Sequence, residues 1–422
     1  MANFPRLGWT IPQVRAGIGN GGWEVMFDLG QATLARAAWS SRQLLEVMVD
    51  FWSNHLNVTC PSSEVWDSRH LYDRDVIRRH ALGRYSDMLV ASARHPAMLR
   101  YLDNASSTKD APNENYGREL LELHSVGVGA GYTEDMMVDS ARIMTGFTVD
   151  DAGAFRYDAS RHATGSVRVL GFTSSNAAAD GQAVGVQYLT YLARHPATAH
   201  RIALKLAQRF VSDNPPAALV SRLAGVYLTS DTAIAPVLRV LLDSPDFWAA
   251  SGAKLRRPYE DFVATIRTLG IRPPAAGAAT WTSGIGALYW IVNSMGMAPM
   301  AWSPPNGYPD VAAAWQSASG TLGRWNAHLL LAAAWWPDPK TLSYPVPRSW
   351  LPATLPATYG GLVDVLSQRL VHRRLTEPQR AAVLGFVGKT AAAPLGAGDE
   401  AVGWRLPYVA ALVLDAPGHV TR

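Results

Sequence analysis

Apolar residues in this chain return every three to four positions, segment after segment, and that spacing commits most of it to helices. Between Gln31 and Phe51, the residues Leu34, Ala37, Ala38, Leu44, Leu45, Met48 and Val49 fall on one side of a single helix, which runs into Phe51-Trp52 and then Asn54-His55. The same spacing predicts helices at about 73–93, 183–194, 196–211, 216–228, 232–243, 258–269 and 321–335. The phrase Ala-Arg-His-Pro-Ala occurs at 93–97 and again at 193–197. Proline suits a first helical turn because its missing N–H is not needed there, so both copies read as helix starts. Thr133 and Thr376 stand where N-caps are expected, each followed by acidic residues in the first turn.

The helical pattern lapses in three places. Residues 147–180 rise in Gly, Ser, Asp and Thr and carry short β-prone pieces. Residues 271–284 are rich in Ala, Pro and Gly and read as a loop, as does 295–310, MGMAPMAWSPPNGYPD. Long irregular stretches inside compact domains tend to be functional. The fold expected is mainly α: one large helical domain over residues 1–336, with a small β-containing excursion at about 147–180. A helical C-terminal extension, 337–422, begins in a proline-rich link and packs on that core.

Composition narrows the function classes. With 48% apolar and 17% charged residues and 15 Trp, the chain buries a large core and is not disordered. Basic residues exceed acidic ones by only four (38 against 34), with no Lys/Arg run among aromatics, so no nucleic-acid partner is expected. Cys60 is the single cysteine, which excludes a disulfide framework or a thiolate metal cluster within one chain and reads as a buried structural thiol. The cluster Arg369, His372, Arg373, Arg374 reads as a solvated helix end. No apolar run is long enough to span a membrane, and no signal peptide is visible at the N-terminus.

The densest chemistry lies in Asn113–Thr133, NENYGRELLELHSVGVGAGYT. With Asn115 at zero and about 100° per residue, Glu119 falls near 40°, Glu122 near −20° and Arg118 near −60°. Three-residue spacing of two glutamates is a pattern used by helical metal sites. His124 falls near 180° on the same scale and so leaves the ligand face. A solvated stripe with an Arg118–Glu122 pair, or a buried stripe matched to Arg142, would be structural instead. The run Gly127–Gly131 reads as a helix stop with left-handed glycines rather than a phosphate cradle. His55 carries either a site role or a structural hydrogen bond, and Trp302 to Tyr308 forms either an aromatic lip over a pocket or a rigid crossing. HExxH, P-loop, GxSxG and EF-hand patterns are absent.

Several of these pieces together resemble the bacterial family catalogued as domain of unknown function 1800. They are Phe51–His55, Asn113–Leu123, Gly131–Asp135 and Ala141–Gly146, then His195–Thr198, Lys205-Leu206, Ser244–Phe247, Lys254 with Pro258, and Pro304–Gly307. The resemblance implies a mostly helical bacterial protein, often exported and often encoded beside a second exported family, domain of unknown function 1501, whose members are the expected partners. It supplies no reaction. It does raise a shared site at Asn54, His55, Asn115, Glu119, Glu122, Arg142 and Asn306. Three departures stand out: Ser53 where many relatives carry histidine, Tyr308-Pro309 where a Gly-Trp element is common, and a start that lacks the usual leading helices, so an export signal is expected upstream or not at all.

The functional expectation is a metal-assisted enzyme, hydrolytic rather than redox. Glu119, Glu122 and His55 would hold a divalent ion or act as acid and base, with Arg142 steadying an anionic group. Asn54, Asn115, Trp302 and Asn306 would contact substrate. The alternative is a non-catalytic binding or assembly protein that works with an exported partner.

Overall fold

The computed structural model describes residues 3–275, 278 and 280–422. Helices dominate it. Among the described residues, the strands are confined to two antiparallel ribbons, Phe147–Val149 with Phe155–Tyr157 and Val167–Val169 with Phe172–Ser174. Both lie inside the expected excursion.

Local chemistry accounts for most helix ends. Asn113 Oδ1 accepts from the Tyr116 N–H, and the Thr133 side chain accepts from Met136. Thr376 forms a reciprocal cap with Gln379. His95 and His195 each accept, through Nδ1, the N–H of the alanine two residues on, at 3.2 Å, with proline in the first turn of the following helix. One five-residue phrase thus builds the same cap twice.

Two expected helices are broken. Gln31–Phe51 is divided into Glu24–Trp39 and Gln43–His55. Ser40 turns extended, and Gln43 Nε2 donates back to the carbonyls of Ala37 and Ser40, satisfying acceptors the first helix leaves open. The stretch 73–93 is a π-helical turn, Asp73–Arg78, then a break, then Tyr85–Ala93. Of the 271–284 stretch read as a loop, residues 276, 277 and 279 lie outside the described residues, and a helix at Trp281–Ser294 takes up its last four positions. The 295–310 stretch is irregular as expected, apart from isolated turns.

Buried side chains gather into two cores. The first draws on Phe4 to Ala38, on Cys60 and Trp66, and then on Tyr259 to Ala416; the second draws on Met48 to Leu241. Leu331, Ala332, Leu342 and Trp350 carry the first core without interruption across the proline-rich link. In the second, Trp52, Tyr85, Tyr116 and Tyr188 are fully enclosed. Each fully buried aromatic or aliphatic side chain there is worth roughly 1.5–3 kcal/mol. The helix Glu114–Glu119 seats against Glu134–Met144 because Gly117 has no Cβ; one there would stand 2.7 Å from the Met137 carbonyl oxygen. No helix among the described residues is long and apolar enough to cross a membrane.

Candidate functional site

The helix Gln43–His55 and the helix Pro196–Phe210 bring polar groups together inside the second core. Arg201, Lys205 and Arg209 recur at four-residue intervals and so share one face of the latter. Lys205 Nζ lies 3.0 Å from His55 Nδ1, and His55 Nε2 lies 3.0 Å from the Tyr85 hydroxyl. That hydroxyl donates to the backbone carbonyl of His124.

These bonds fix the protons. The Tyr85 hydrogen is committed to a carbonyl, so toward His55 the phenol oxygen accepts. His55 therefore carries its hydrogen on Nε2, and its bare Nδ1 accepts from Lys205. Burial, then Lys205 and Arg201, hold the His55 pKa well below its ordinary value, keeping the ring neutral. Burial and Arg201 bring the Lys205 ammonium down to about 7, and Asp310 offsets this only in part. His124 is pushed down to about 3 by burial, Lys205 and Arg201, and its Nε2 is buried with no hydrogen-bond partner among the described residues.

One turn further along, Arg209 enters a dense ionic network. It pairs with Glu260 and with Asp50 at 3.1 Å, and Arg257 bonds Asp50 at 2.6 Å. Lys254 contacts Asp213 at 2.7 Å and Asp310 at 3.0 Å. Burial alone would raise the Glu260 carboxyl, but Arg209, Arg257 and Arg422 hold it well below the carboxylate range. This network joins elements of both cores.

The 302–310 stretch closes over the seam. Asn54 grips Tyr308 twice, accepting its N–H at 2.6 Å and donating to its carbonyl at 2.7 Å. Asn57 Nδ2 donates to the carbonyls of Trp302 and Pro304, and Thr59 donates to Trp302. Gly307 is required here: its φ is +73°, and a Cβ would stand 2.1 Å from the Asn54 carbonyl oxygen. Residues of the family pattern (His55, Lys205, Lys254 and the Pro304–Gly307 turn) thus meet around one seam.

Other expected residues lie elsewhere or do other work. Glu119 and Glu122 stay half-buried on the outer face of their helix. Burial and neighbouring Glu122 raise the Glu119 pKa. Arg118 reaches Glu134 at 2.9 Å in place of the expected Glu122. Asn115 is exposed. Arg142 is a brace for the excursion: it bonds Asp139 at 2.9 Å and donates to the carbonyls of Thr164 and Ser166. Trp302 Nε1 donates to Asn306 Oδ1 at 2.9 Å, so these two expected substrate contacts bond each other. The set His55, Glu119 and Glu122 departs from a metal site for a physical reason, since both His55 nitrogens are already engaged. The backbone over Leu120–His124 is π-helical, which also displaces the angles that a regular helix assigns to residues beyond Glu119.

The donors that do converge were not singled out by spacing. Among the described residues, the ligand atoms of Asp261, His328 and His419 lie within 4.8 Å of one another, all buried, and this cluster could hold a metal ion. His328 Nε2 lies 3.0 Å from Asp261, and its Nδ1 lies 2.8 Å from Asp415. Burial would lower His328, but Asp261 and Asp415 override it and raise it to about 9. The Thr265 hydroxyl donates to the Asp261 carbonyl, so its oxygen accepts from His419 Nε2 at 2.9 Å. Protons fill this arrangement, and a metal ion would have to release the one on His328. The separation of 67 residues between Asp261 and His328, and the still longer one to His419, carried no local signal for it.

No curated protein matches this chain, and no solved structure does. A family model described as a protein of unknown function, DUF1800, matches residues 14–420 of the 422. The residue pattern and nearly the whole length agree, and the chain belongs to the DUF1800 family.

Proposed function

We propose that this protein is an enzyme of the acid–base type, with Lys205 as its proton-accepting amine and His55 as the residue that positions it. The observation that supports this is the 3.0 Å contact between Lys205 Nζ and a His55 nitrogen, in a seam where no carboxylate pairs with the lysine among the described residues. At neutral pH a lysine titrating near 7 is divided between amine and ammonium. That is the range in which a general base works best. Donating one hydrogen to His55 leaves the amine lone pair directed away from the ring. Hydrolysis fits this arrangement: the amine takes a proton from water as the water attacks, and returns it to the leaving group. A divalent ion is not needed for that step; bound by Asp261, His328 and His419, it would brace the fold instead.

The test is competitive acylation of lysines from about pH 5 to about pH 10, read by peptide mass spectrometry. Lys205 is expected to show a midpoint near 7, well below the ordinary lysine value of about 10.4. Hydrolysis of activated aryl esters should fall by about 10²-fold in Lys205→Met. An ordinary midpoint for Lys205, or unchanged hydrolysis in the folded variant, overturns the reading.

A second reading has its own support. Trp23, Trp290, Trp335, Trp336 and Trp404 are exposed on the lobe built around the first core. Trp335 and Trp404 both pack edge-on against Tyr408. Aromatic residues are enriched at protein interfaces, and assembly with an exported protein of the domain of unknown function 1501 family would cover these rings. Replacing Trp335 and Trp404 by serine should then abolish co-purification with that partner; retained co-purification removes this reading.

A further inference from the structure

A cavity of about 680 Å³ lies between the two cores. Volumes of this order are typical of small-molecule sites, which favour boundaries between domains. Its charged lining is six arginines against three carboxylates: Arg209, Arg256, Arg267, Arg369, Arg373 and Arg422, facing Glu46, Asp50 and Glu260. The carboxylates are already taken. Glu46 is held by Arg78 at 2.6 Å, Asp50 by Arg209 and Arg257, and Glu260 by Arg209 and Arg257.

Four arginines remain without a carboxylate in ion-pair contact among the described residues: Arg256, Arg267, Arg369 and Arg373. Two of them spend an N–H on backbone carbonyls, Arg256 on His419 and Arg267 on Ala38. Arg256 flanks the start of the helix Pro258–Leu269 and Arg267 lies near its end. Arg369 and Arg373 flank the end of Tyr359–Val371. Between them the wall is apolar, with Ala37, Val47, Phe210, Val263 and Leu370. Burial lowers the Arg256 pKa despite Asp261 and Glu260, and nearby Arg373 lowers it further. Like charges are therefore held together around an apolar hollow, an arrangement that an anion relieves.

We propose that this cavity binds an anionic amphiphile, a carboxylate or phosphate-ester head on an apolar body, with Arg256, Arg369 and Arg373 on the head. The site is separate from Lys205, which does not line the cavity. The helix-end cations then have a second role beyond facing solvent: they form the mouth of a ligand site.

The experiment titrates the full chain with anilinonaphthalene sulfonate and follows its fluorescence, then displaces it with decanoate, decyl phosphate or decanol. Saturable binding at one site per chain is expected, with displacement by either anion and at least tenfold weaker displacement by the alcohol. The relative strength of the two anions identifies the head group. Arg369→Glu combined with Arg373→Glu, both exposed and so tolerant of change, should weaken binding at least tenfold, and Ala264→Trp should fill the cavity and abolish it. Equal displacement by decanol, or binding that survives both variants, overturns the proposal. So does the absence of saturable binding in the unmodified protein.

Discussion

His55 and His328 are both buried, and both have each ring nitrogen in a hydrogen bond, yet they are driven in opposite directions. His55 has a phenol and an amine for neighbours and is held neutral. His328 lies between Asp261 and Asp415 and is raised to about 9. Burial disfavours the charged form of each equally in kind, so the difference comes from the partners. One seam sets a buried lysine against a neutral ring. The other locks a proton between carboxylates and ties the helix Pro258–Leu269 to Ala318–Ala332 and to Asp415.

The largest effect should come from breaking the second arrangement. Asp261→Ala leaves the His328 imidazolium facing a lost partner and is expected to cost about 3–5 kcal/mol, measured by urea unfolding. A cost below about 1 kcal/mol would show that the two seams do not differ in structural weight.

Titration sharpens the contrast further. His328 is raised, so its stabilisation is complete below about 6.5 and is lost as pH climbs through about 9. Lys205 is depressed, so its neutral form favours folding above about 10.5, and that advantage fades as pH falls toward 7. Between about 7 and 9 the two slopes oppose each other, each at most about 1.4 kcal/mol per pH unit. The wild type should be nearly flat there with respect to these groups. Lys205→Met should lose stability as pH rises across that window, and His328→Gln should gain it. Parallel profiles for the two variants would refute the opposed assignments.

A smaller effect is expected at the closure of the seam. Asn54→Ala removes two hydrogen bonds to Tyr308 and should cost about 1–2 kcal/mol, with faster amide exchange confined to 302–310. The smallest belongs to the residue the seam does not use. Arg142→Ala should loosen the ribbons at 147–174 for about 1 kcal/mol or less and leave the Lys205 midpoint unmoved; a shifted midpoint would connect the excursion to the seam.

Much of the helical fold was legible because its signals are local. The paired His-Pro caps, the Thr133 and Thr376 caps and the Pro258–Leu269 boundaries each depend on a few adjacent residues. The split at Ser40 escaped because apolar spacing continues across it while the backbone does not. At the seam, His55, Asn54 and Lys205 stood within recognised phrases, but nothing adjacent to Lys205 announces that it meets a ring 150 positions away. The Glu119–Glu122 stripe was legible as a stripe. Its failure to recruit His55 follows from Tyr85 and Lys205, which approach from other helices. Asp261, His328 and His419 left no local trace, since their meeting is a product of packing alone.

The division of the two cores has a consequence for how the molecule is made. The second core is complete once the chain has reached about Leu241, whereas the first takes one part from before residue 39, only Cys60 and Trp66 from the stretch between, and the rest from after 258. On a ribosome the inserted half can therefore condense while its host is still missing most of its substance. The helix Glu24–Trp39 must wait, with Val25, Leu29 and Leu34 uncovered, through some two hundred further additions. Nascent chains arrested between those points should carry one folded body and one sticky leading segment, which makes that early helix the natural target of a holding chaperone.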